Sequence, residues 1–566
     1  MPLETPSRIV QELASRGYNA EREAVTLLAG AANPALVLEA AIEVADDDAL
    51  VLTVEHVRRA LDAEPPADAN VNATATAPAA TAGSTGPESA GSEAPSESAD
   101  PKPSDGNPDP TRADDPPVST PDAGPVTESR TGETPVEAGG SAGTETTGGS
   151  AIDPEGSTAP RTSRTPTPAE ITGDITGQST GTGEYKQFVR VFRDRYERLS
   201  KQLRGRVNHR PAEAIQSMPG RSDAEMIGLV NDIRSTASGH WLVELEDTTG
   251  VFPCLVMKDK DIASLVDELL MDECIAVSGT LADDAGILFV DDIYFPDVPR
   301  NYRPSTADRH VQAALISDVH VGSQEFVADA WSRFTSWLHT DEAEAVEYLL
   351  IAGDMVEGVG VYPNQDEELD IIDIYEQYER FSEHLKEVPG DMEIVMIPGN
   401  HDAVRLAEPQ PGFDDELRGI MSAHDARFTG NPSTVTLEGV SILMYHGVSI
   451  DEVIAELPEE KANYDEPHKA MYQLLKKRHV APQYGGHMRL APEEKDYLAM
   501  DTVPDVFHTG HVHKIGWGKY HNVLAVNSGC WQAQTDFQKS VNIDPDVAHA
   551  PILDLDTLDM TVRKFI

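Results

Sequence analysis

From residue 307 to residue 566 the hydrophobic pattern alternates between two periods. Apolar runs at 312–317, 347–352, 393–398, 434–438, 441–446, 504–508, 523–527 and 559–564 read as strands. Stretches at 326–339, 367–387, 413–423 and 466–478 place their apolar residues at helical spacing instead. Strand–helix–strand units come first and a strand-rich half follows. That order predicts an α/β domain at 307–566. No internal repeat is visible.

Upstream the pattern changes three times. In residues 1–62, Ile9, Val10, Leu13 and Ala14 fall at helical spacing after the candidate cap Ser7. Further helices fit Pro34–Val44 and Val54–Leu61, so a small helical domain is expected. Residues 63–184 lack Leu, Met, Phe, Trp, Tyr and Cys. Such a segment cannot bury enough apolar surface to offset its ordering entropy and reads as a disordered acidic linker. Residues 185–221 then carry nine basic residues between Lys186 and Arg210, against Asp194 and Glu197. Phe188, Phe192, Leu199 and Leu203 form an apolar stripe on the same helix. Two readings stand open: a docking helix whose arginines pair with the protein's own acids, or a contact to nucleic acid or a partner subunit.

Residues 222–300 hold five short strands, at Ile227–Ile233, Trp241–Glu246, Val251–Val256, Cys274–Thr280 and Ile287–Tyr294. A helix fits Asp261–Leu270, after the third strand. This is the order of an OB-fold barrel. Trp241, Phe252 and Phe289 are candidate stacking platforms, with core positions the default and protein docking the favoured use.

Composition adds a constraint. The 566 residues carry 97 acidic and 44 basic side chains, a net charge of -53. The acids are scattered through every segment, which favours a surface adapted to concentrated salt over an acidic tail. At 1 M salt the Debye length is about 3 Å, so this charge does not exclude a nucleic-acid substrate. Cys254, Cys274 and Cys530 are far apart and form no C-x-x-C pair. The pattern fits a reducing cytoplasm. No apolar signal core or run of ~20 apolar residues is present, so a soluble, cytoplasmic protein without a membrane partner is expected.

The candidate chemistry sits where apolar runs end. Ala313–Gly322 reads AALISDVHVG, placing Asp318 and His320 at the end of a buried strand. Gly353-Asp354, Gly399-Asn400-His401-Asp402, His446-Gly447 and Gly510-His511-Val512-His513 follow. Sites in open α/β sheets form at the carboxyl ends of strands. Taken singly, each motif has a bland alternative, such as a turn Asp or a structural His. Together, Asp318, His320, Asp354, Asn400, His446, His511 and His513 supply the mixed oxygen and nitrogen donors that hold two divalent ions for phosphate-ester hydrolysis. Such a set suits Mn, Fe, Co, Ni or Zn better than Mg or Ca.

The DVH, GD, GNHD, HG and GHVH motifs resemble the signature of the calcineurin-like metallophosphoesterases. The resemblance implies a two-sheet sandwich flanked by helices, preceded here by the OB-fold barrel and the tethered helical domain. It implies that Asp318, His320, Asp354 and His513 hold one metal, and Asp354, Asn400, His446 and His511 the other. His401 would contact phosphate and assist the leaving group, oriented by Asp402. Two divalent ions are implied, Mn²⁺ first, with Mg²⁺, Fe²⁺ and Zn²⁺ as alternatives. The domain order, with GDMVEGVGVYPNQ at 353–365, PEEKDYLAMDTVPDVFHTGHVH at 492–513 and NSGCWQAQTDFQ at 527–538, also resembles the small subunits of archaeal family-D DNA polymerases. That likeness implies a 3′-to-5′ proofreading exonuclease acting on single-stranded DNA. The implied partners are a large catalytic subunit, primer-template DNA and a sliding clamp. A non-catalytic scaffold subunit is the alternative, and loss of ligand residues would be its mark. No ligand position is missing.

Overall fold

The computed structural model describes residues 9, 12–13, 16, 18–20, 22–31, 33–45, 51–63, 166–179 and 183–566, the last span without 423, 424, 486, 487 and 541. Ser7, Val10, Ala14 and residues 64–165 and 180–182 of the expected linker lie outside the described residues.

The N-terminal unit has helices Arg22–Ala29, Pro34–Val44 and Val54–Ala63, with a short parallel pair, β1 (Asn19–Ala20) and β2 (Val51–Leu52). Leu13, Val25, Leu28, Leu38, Ala41 and Val57 close one small core.

The linker reading needs a correction at its C-terminal end. β3 (Glu170–Thr172) pairs antiparallel with a strand of the large domain, Thr434 standing opposite Thr172. Ile175 is fully buried, and Asp174 Oδ1 accepts from the Gly430 amide at 2.9 Å. Two isoleucines and one Asx turn were invisible against the composition of the surrounding hundred residues. An existing strand edge supplies the backbone partners they need.

A closed barrel follows, in the order β4-β5-β6-β8-β7. Its strands are β4 (Asp223–Ser235), β5 (Trp241–Asp247), β6 (Gly250–Val256), β7 (Cys274–Leu281) and β8 (Leu288–Tyr294). Only β6 and β8 pair in parallel. The expected 261–270 helix is a single turn, Ala263–Val266, because Leu269 and Leu270 leave the helical path to enter apolar clusters. Phe252 is buried in the barrel, Trp241 is half-buried against it, and Phe289 is 38% exposed.

The basic helix Tyr185–Leu203 packs Leu199 and Leu203 against the barrel. Arg195 is buried and pairs with buried Asp496 at 2.6 Å. Arg198 pairs with Asp501 at 2.8 Å. Lys476 and Lys461 reach Glu268 at 2.6 and 2.7 Å, and Lys477 faces Glu273 at 3.3 Å. These pairs fix the barrel and the helix to the large domain.

That domain is mixed α/β with two six-stranded sheets. The first has the order β12-β11-β10-β9-β18-β19, from β9 (Gln312–Ile316), β10 (Val346–Ala352), β11 (Glu393–Ile397), β12 (Arg427–Phe428), β18 (His549–Asp554) and β19 (Met560–Lys564). The second has the order β16-β17-β15-β14-β13-β3, adding β13 (Ser433–Leu437), β14 (Val440–Met444), β15 (Val506–Thr509), β16 (Ile515–Tyr520) and β17 (Val523–Ser528). Side chains alternate across each strand. Ala313 and Leu315 of β9 and Leu350 of β10 therefore meet Val435, Ile442 and Val526 of the other sheet in one core. Ala314, Ile316 and Ile351 point the opposite way, onto helices Ala328–Leu338 and Ile374–Leu385. Burial on both faces is why these strands read as unbroken apolar runs. β9, β10 and β11 run parallel, as do β14, β15 and β17.

Candidate metal centre

Parallel strands deliver their following loops to the same end of a sheet. The loops after β9, β10, β11, β14 and β15 carry every nominated ligand. Five of these residues turn back in the left-handed region: Asp318 (φ 52°), His320 (56°), Asp354 (54°), His511 (73°) and His513 (55°). Each such non-glycine residue costs of order 1–3 kcal/mol, and such conformations cluster at functional sites. Glycine is required where loops cross. A Cβ on Gly399 would collide with the Asp354 carboxylate, and one on Gly510 with that of Asp318.

The side chains gather in two sets joined by Asp354. Asp318, His320 and His513 converge within 4.8 Å, as do Asp354, His446 and His511. His320 Nε2 and His513 Nε2 are 3.0 Å apart. His513 Nε2 lies 3.6 Å from Asp318 Oδ1, and His320 Nε2 3.9 Å from Asp354 Oδ2. In the second set, His446 Nε2 is 3.2 Å from Asp354 Oδ2 and 2.9 Å from Asn400 Oδ1.

The outer nitrogens of these rings are held from behind. His446 Nδ1 is 2.9 Å from the Ala352 carbonyl, and His511 Nε2 is 3.0 Å from Asp451 Oδ2. His320 Nδ1 meets Glu357 Oε2 at 2.9 Å in an ionic contact. The Gln538 amide lies 2.8 Å from His513 Nδ1. The acceptors behind His446, His511 and His320 select the tautomer and aim the other nitrogen inward, whereas the Gln538 amide nitrogen offers His513 Nδ1 a donor.

The donor set fits divalent cations. Burial alone would keep His446 neutral, yet Asp354 overrides it and raises its pKa to about 10. His320 rises to about 9, where burial is outweighed by Glu357, Asp354 and Asp318. A pocket with three buried carboxylates and facing imidazole nitrogens demands positive charge at its centre.

His401 lies at the same pocket. Its Nδ1 sits 2.7 Å from the Glu357 carbonyl, and its backbone N–H donates to Asp354 Oδ1 at 2.8 Å. Asp402 does not orient it, which corrects the role implied for that residue. Asp402 Oδ2 accepts from the amides of Asp354 (2.8 Å) and Gly399 (2.9 Å), and Oδ1 from the Tyr378 hydroxyl (2.9 Å). The turn after Asn400 points consecutive side chains apart, so Asp402 clamps the loops while His401 faces the cavity. Burial, and then Asp354, push the Asp402 carboxyl up to about 7.

Sequence reasoning missed Glu357, Asp451 and Gln538. Glu357 is 1% exposed in the loop after β10, three residues past Asp354. An acid inside the otherwise apolar and glycine-rich GDMVEGVG was the available signal. Asp451 lies in the first turn of the helix Ser449–Glu456, beyond His446, and Gln538 lies far along the chain. Neither had one.

The cavity holds about 130 Å³ and is lined by His320, Asp354, His401, His513 and Phe537, among others. Phe537 is 43% exposed and stacks on Tyr362, ring centroids 5.0 Å apart at 23°.

The region carrying these motifs matches a known family. The family model for the B subunit of DNA polymerases alpha and epsilon aligns with residues 313–514, which include every nominated metal ligand. That stretch is therefore similar to polymerase B subunits. A DNA polymerase II small subunit of Halobacterium salinarum is 64% identical over 565 residues, covering 100% of both chains. That of Archaeoglobus fulgidus is 43% identical over 385 residues, covering 66% of this chain and 76% of the relative. The chain belongs to the family of DNA polymerase II small subunits. Among solved structures, an archaeal phosphodiesterase aligns with 45% of this chain and 99% of its own, at 14% identity and a TM-score of 0.22. No helix among the described residues is long and apolar enough to cross a membrane.

Proposed function

We propose that this chain is the proofreading subunit of a heterodimeric archaeal replicative polymerase. It would hydrolyse the 3′-terminal phosphodiester of single-stranded DNA and release a nucleoside monophosphate. We read the two-sheet domain as a calcineurin-like metallophosphoesterase and the barrel as an OB-fold. The observation that carries the reading is the pair of adjacent donor sets, Asp354 belonging to the second and lying 3.9 Å from His320 of the first.

Asp318, His320, His513 and Asp354 would hold one divalent ion. Asp354, Asn400, His446 and His511 would hold the second. Mn²⁺ is favoured for mixed nitrogen and oxygen donors, with Mg²⁺, Fe²⁺ or Zn²⁺ as alternatives. When bound, two such ions neutralise the phosphate and activate the attacking water. The chain's own groups do the rest. The Glu357 carbonyl accepts from His401 Nδ1 and aims Nε2 at the cavity, where His401 in its imidazolium form would give the Nε2 proton to the departing 3′ oxygen. A cavity of about 130 Å³ beside the donor sets can seat the scissile phosphate. The terminal base would rest against the exposed face of Phe537. A frayed single strand suits that arrangement better than a duplex. The large subunit would be the obligate partner, primer-template DNA and a sliding clamp further ones, and the cytoplasm the compartment.

The test is a nuclease assay in high salt with Mn²⁺, using 3′- and 5′-labelled single strands, with and without the large subunit. Wild type should shorten the strand stepwise from its 3′ end. D354A should be inactive, because it removes the ligand both sites share. Absence of cleavage by wild type under every condition, with two ions bound per chain, would replace this reading with that of a scaffold subunit.

A further inference from the structure

We propose that the outward face of the helix Tyr185–Leu203, with the aromatic groove beside it, is a binding track for single-stranded nucleic acid. This inference does not depend on the nuclease reading.

The helix sorts its cations by direction. Arg195 and Arg198 turn inward and pair with Asp496 and Asp501. Arg190, Arg193, Lys201 and Arg204 are exposed, and among the described residues none has a carboxylate partner. They recur at intervals of three, eight and three residues, which keeps them on one helical face. Exposed Glu197 stands on the same face, four residues from both Arg193 and Lys201, so four cations flank one acid here, an excess of positive charge in a chain with 97 acids and 44 bases. Exposed Lys186 extends the row, although it contacts Glu184 at 2.5 Å. From Lys186 to Arg204 the row spans about 27 Å at 1.5 Å per residue.

A groove of about 640 Å³ runs along the adjoining face, between the helix, the barrel and the large domain. Its helix side carries Tyr185, Phe188 and Phe192, with Arg193 at the edge shared with the cationic row. Tyr484 closes it from the large domain, its ring 5.6 Å from Phe188 and 5.8 Å from Phe192. Tyr185 is 84% exposed and Tyr484 48%. Two of the groove's carboxylates already have partners: Asp272 accepts from the Tyr484 amide at 3.0 Å, and Asp247 from the Ala212 amide at 2.8 Å. Glu246 stands on the barrel side, so phosphates would run on the helix side.

Exposed aromatic faces beside a line of unpaired cations are what a single strand requires: bases stack while phosphates track the charge. A duplex keeps its base faces covered and would leave the tyrosines unused. An acidic protein segment would meet the cations but has no need of open ring faces.

The test is fluorescence anisotropy of the full chain with a labelled oligothymidine of about 12 nucleotides, within the range of single-strand site sizes. Excess EDTA keeps binding at the metal centre out of the measurement. A KCl series gives the slope of log K against log[salt]. For R190Q/R193Q/K201Q/R204Q the slope should flatten by about 3, at ~0.7 per neutralised phosphate on a single strand. Y185A/Y484A should weaken binding about tenfold with its slope unchanged, the signature of lost stacking. Far-UV circular dichroism matching wild type establishes that these surface variants are folded. An unchanged slope and affinity in the fourfold variant would overturn the proposal. So would loss of large-subunit binding with DNA binding intact, which would make this face a protein interface.

Discussion

Glu357 offers the sharpest perturbation of the metal centre, because it touches one donor set and not the other. Its carboxylate faces four donors: His320 Nδ1 at 2.9 Å, Gln532 Nε2 at 2.6 Å, the Tyr362 hydroxyl at 3.0 Å and Gln365 Nε2 at 3.1 Å. Burial raises its pKa, but His320 outweighs burial, and the group stays below the ordinary glutamate range. In E357Q one oxygen remains to accept, and the new amide nitrogen must face donors. If that nitrogen faces His320, the imidazole proton moves to Nε2, the atom that should receive a metal. Loss of a partner behind a metal-binding histidine costs about 10–100-fold in affinity. That is ~1.4–2.8 kcal/mol at 1.4 kcal/mol per tenfold. The assay is calorimetric titration of Mn²⁺ into chelator-stripped protein in high salt. Two binding steps are expected in wild type. In E357Q the step assigned to Asp318, His320 and His513 should weaken by that factor, while the step assigned to Asn400, His446 and His511 holds. Equal weakening of both steps, or of neither, would refute the division of ligands and the part given to Glu357.

Two further predictions concern stability. K477M should destabilise the fold by about 3–5 kcal/mol, because fully buried Glu273 then loses its cation and must stay charged unpaired or take up a proton. K477M/E273Q should recover most of that loss in denaturant unfolding, and a single-variant cost below ~1 kcal/mol would contradict it. His479 is buried, and burial together with Arg195 depresses its pKa to about 4. Its Nδ1 accepts from the Ala481 amide at 3.0 Å, a bond that protonation removes. The unfolded imidazole titrates near 6.5 and binds the extra proton first, so this contribution is complete above pH 6.5 and is lost as pH falls toward 4. The loss should reach about 2 kcal/mol by pH 5 at 1.36 kcal/mol per unit, and H479Q should flatten the dependence measured by unfolding at pH 7 and pH 5.

What could be read from the chain alone was whatever local pattern enforces. Strands buried on both faces must be apolar throughout, so β9, β10 and β11 were visible as runs, and the loops after them were visible as metal-ligand motifs. Helix Pro34–Val44 was legible in full, because a run of Ala, Leu and Glu, all strong helix formers, follows a starting proline. β16 and β18 were not. Ile515–Tyr520 has two glycines and an exposed Trp517, and His549–Asp554 contains a proline. Both are strands because a neighbour offers a backbone edge, a condition no local pattern records. The same holds for β3, whose three residues gain strand structure from β13. At the candidate centre, the types of the donor side chains were legible in the sequence. Tertiary structure decided which nitrogen of each histidine faces inward, because the groups behind them come from other loops: Glu357, Ala352, Asp451 and Gln538. It also moved Asp402 from a partner of His401 to a clamp on two backbone amides. In the basic helix, spacing determined that cations lie on several faces. Only packing decided which of them found acids, since Asp496 and Asp501 stand some three hundred residues away along the chain.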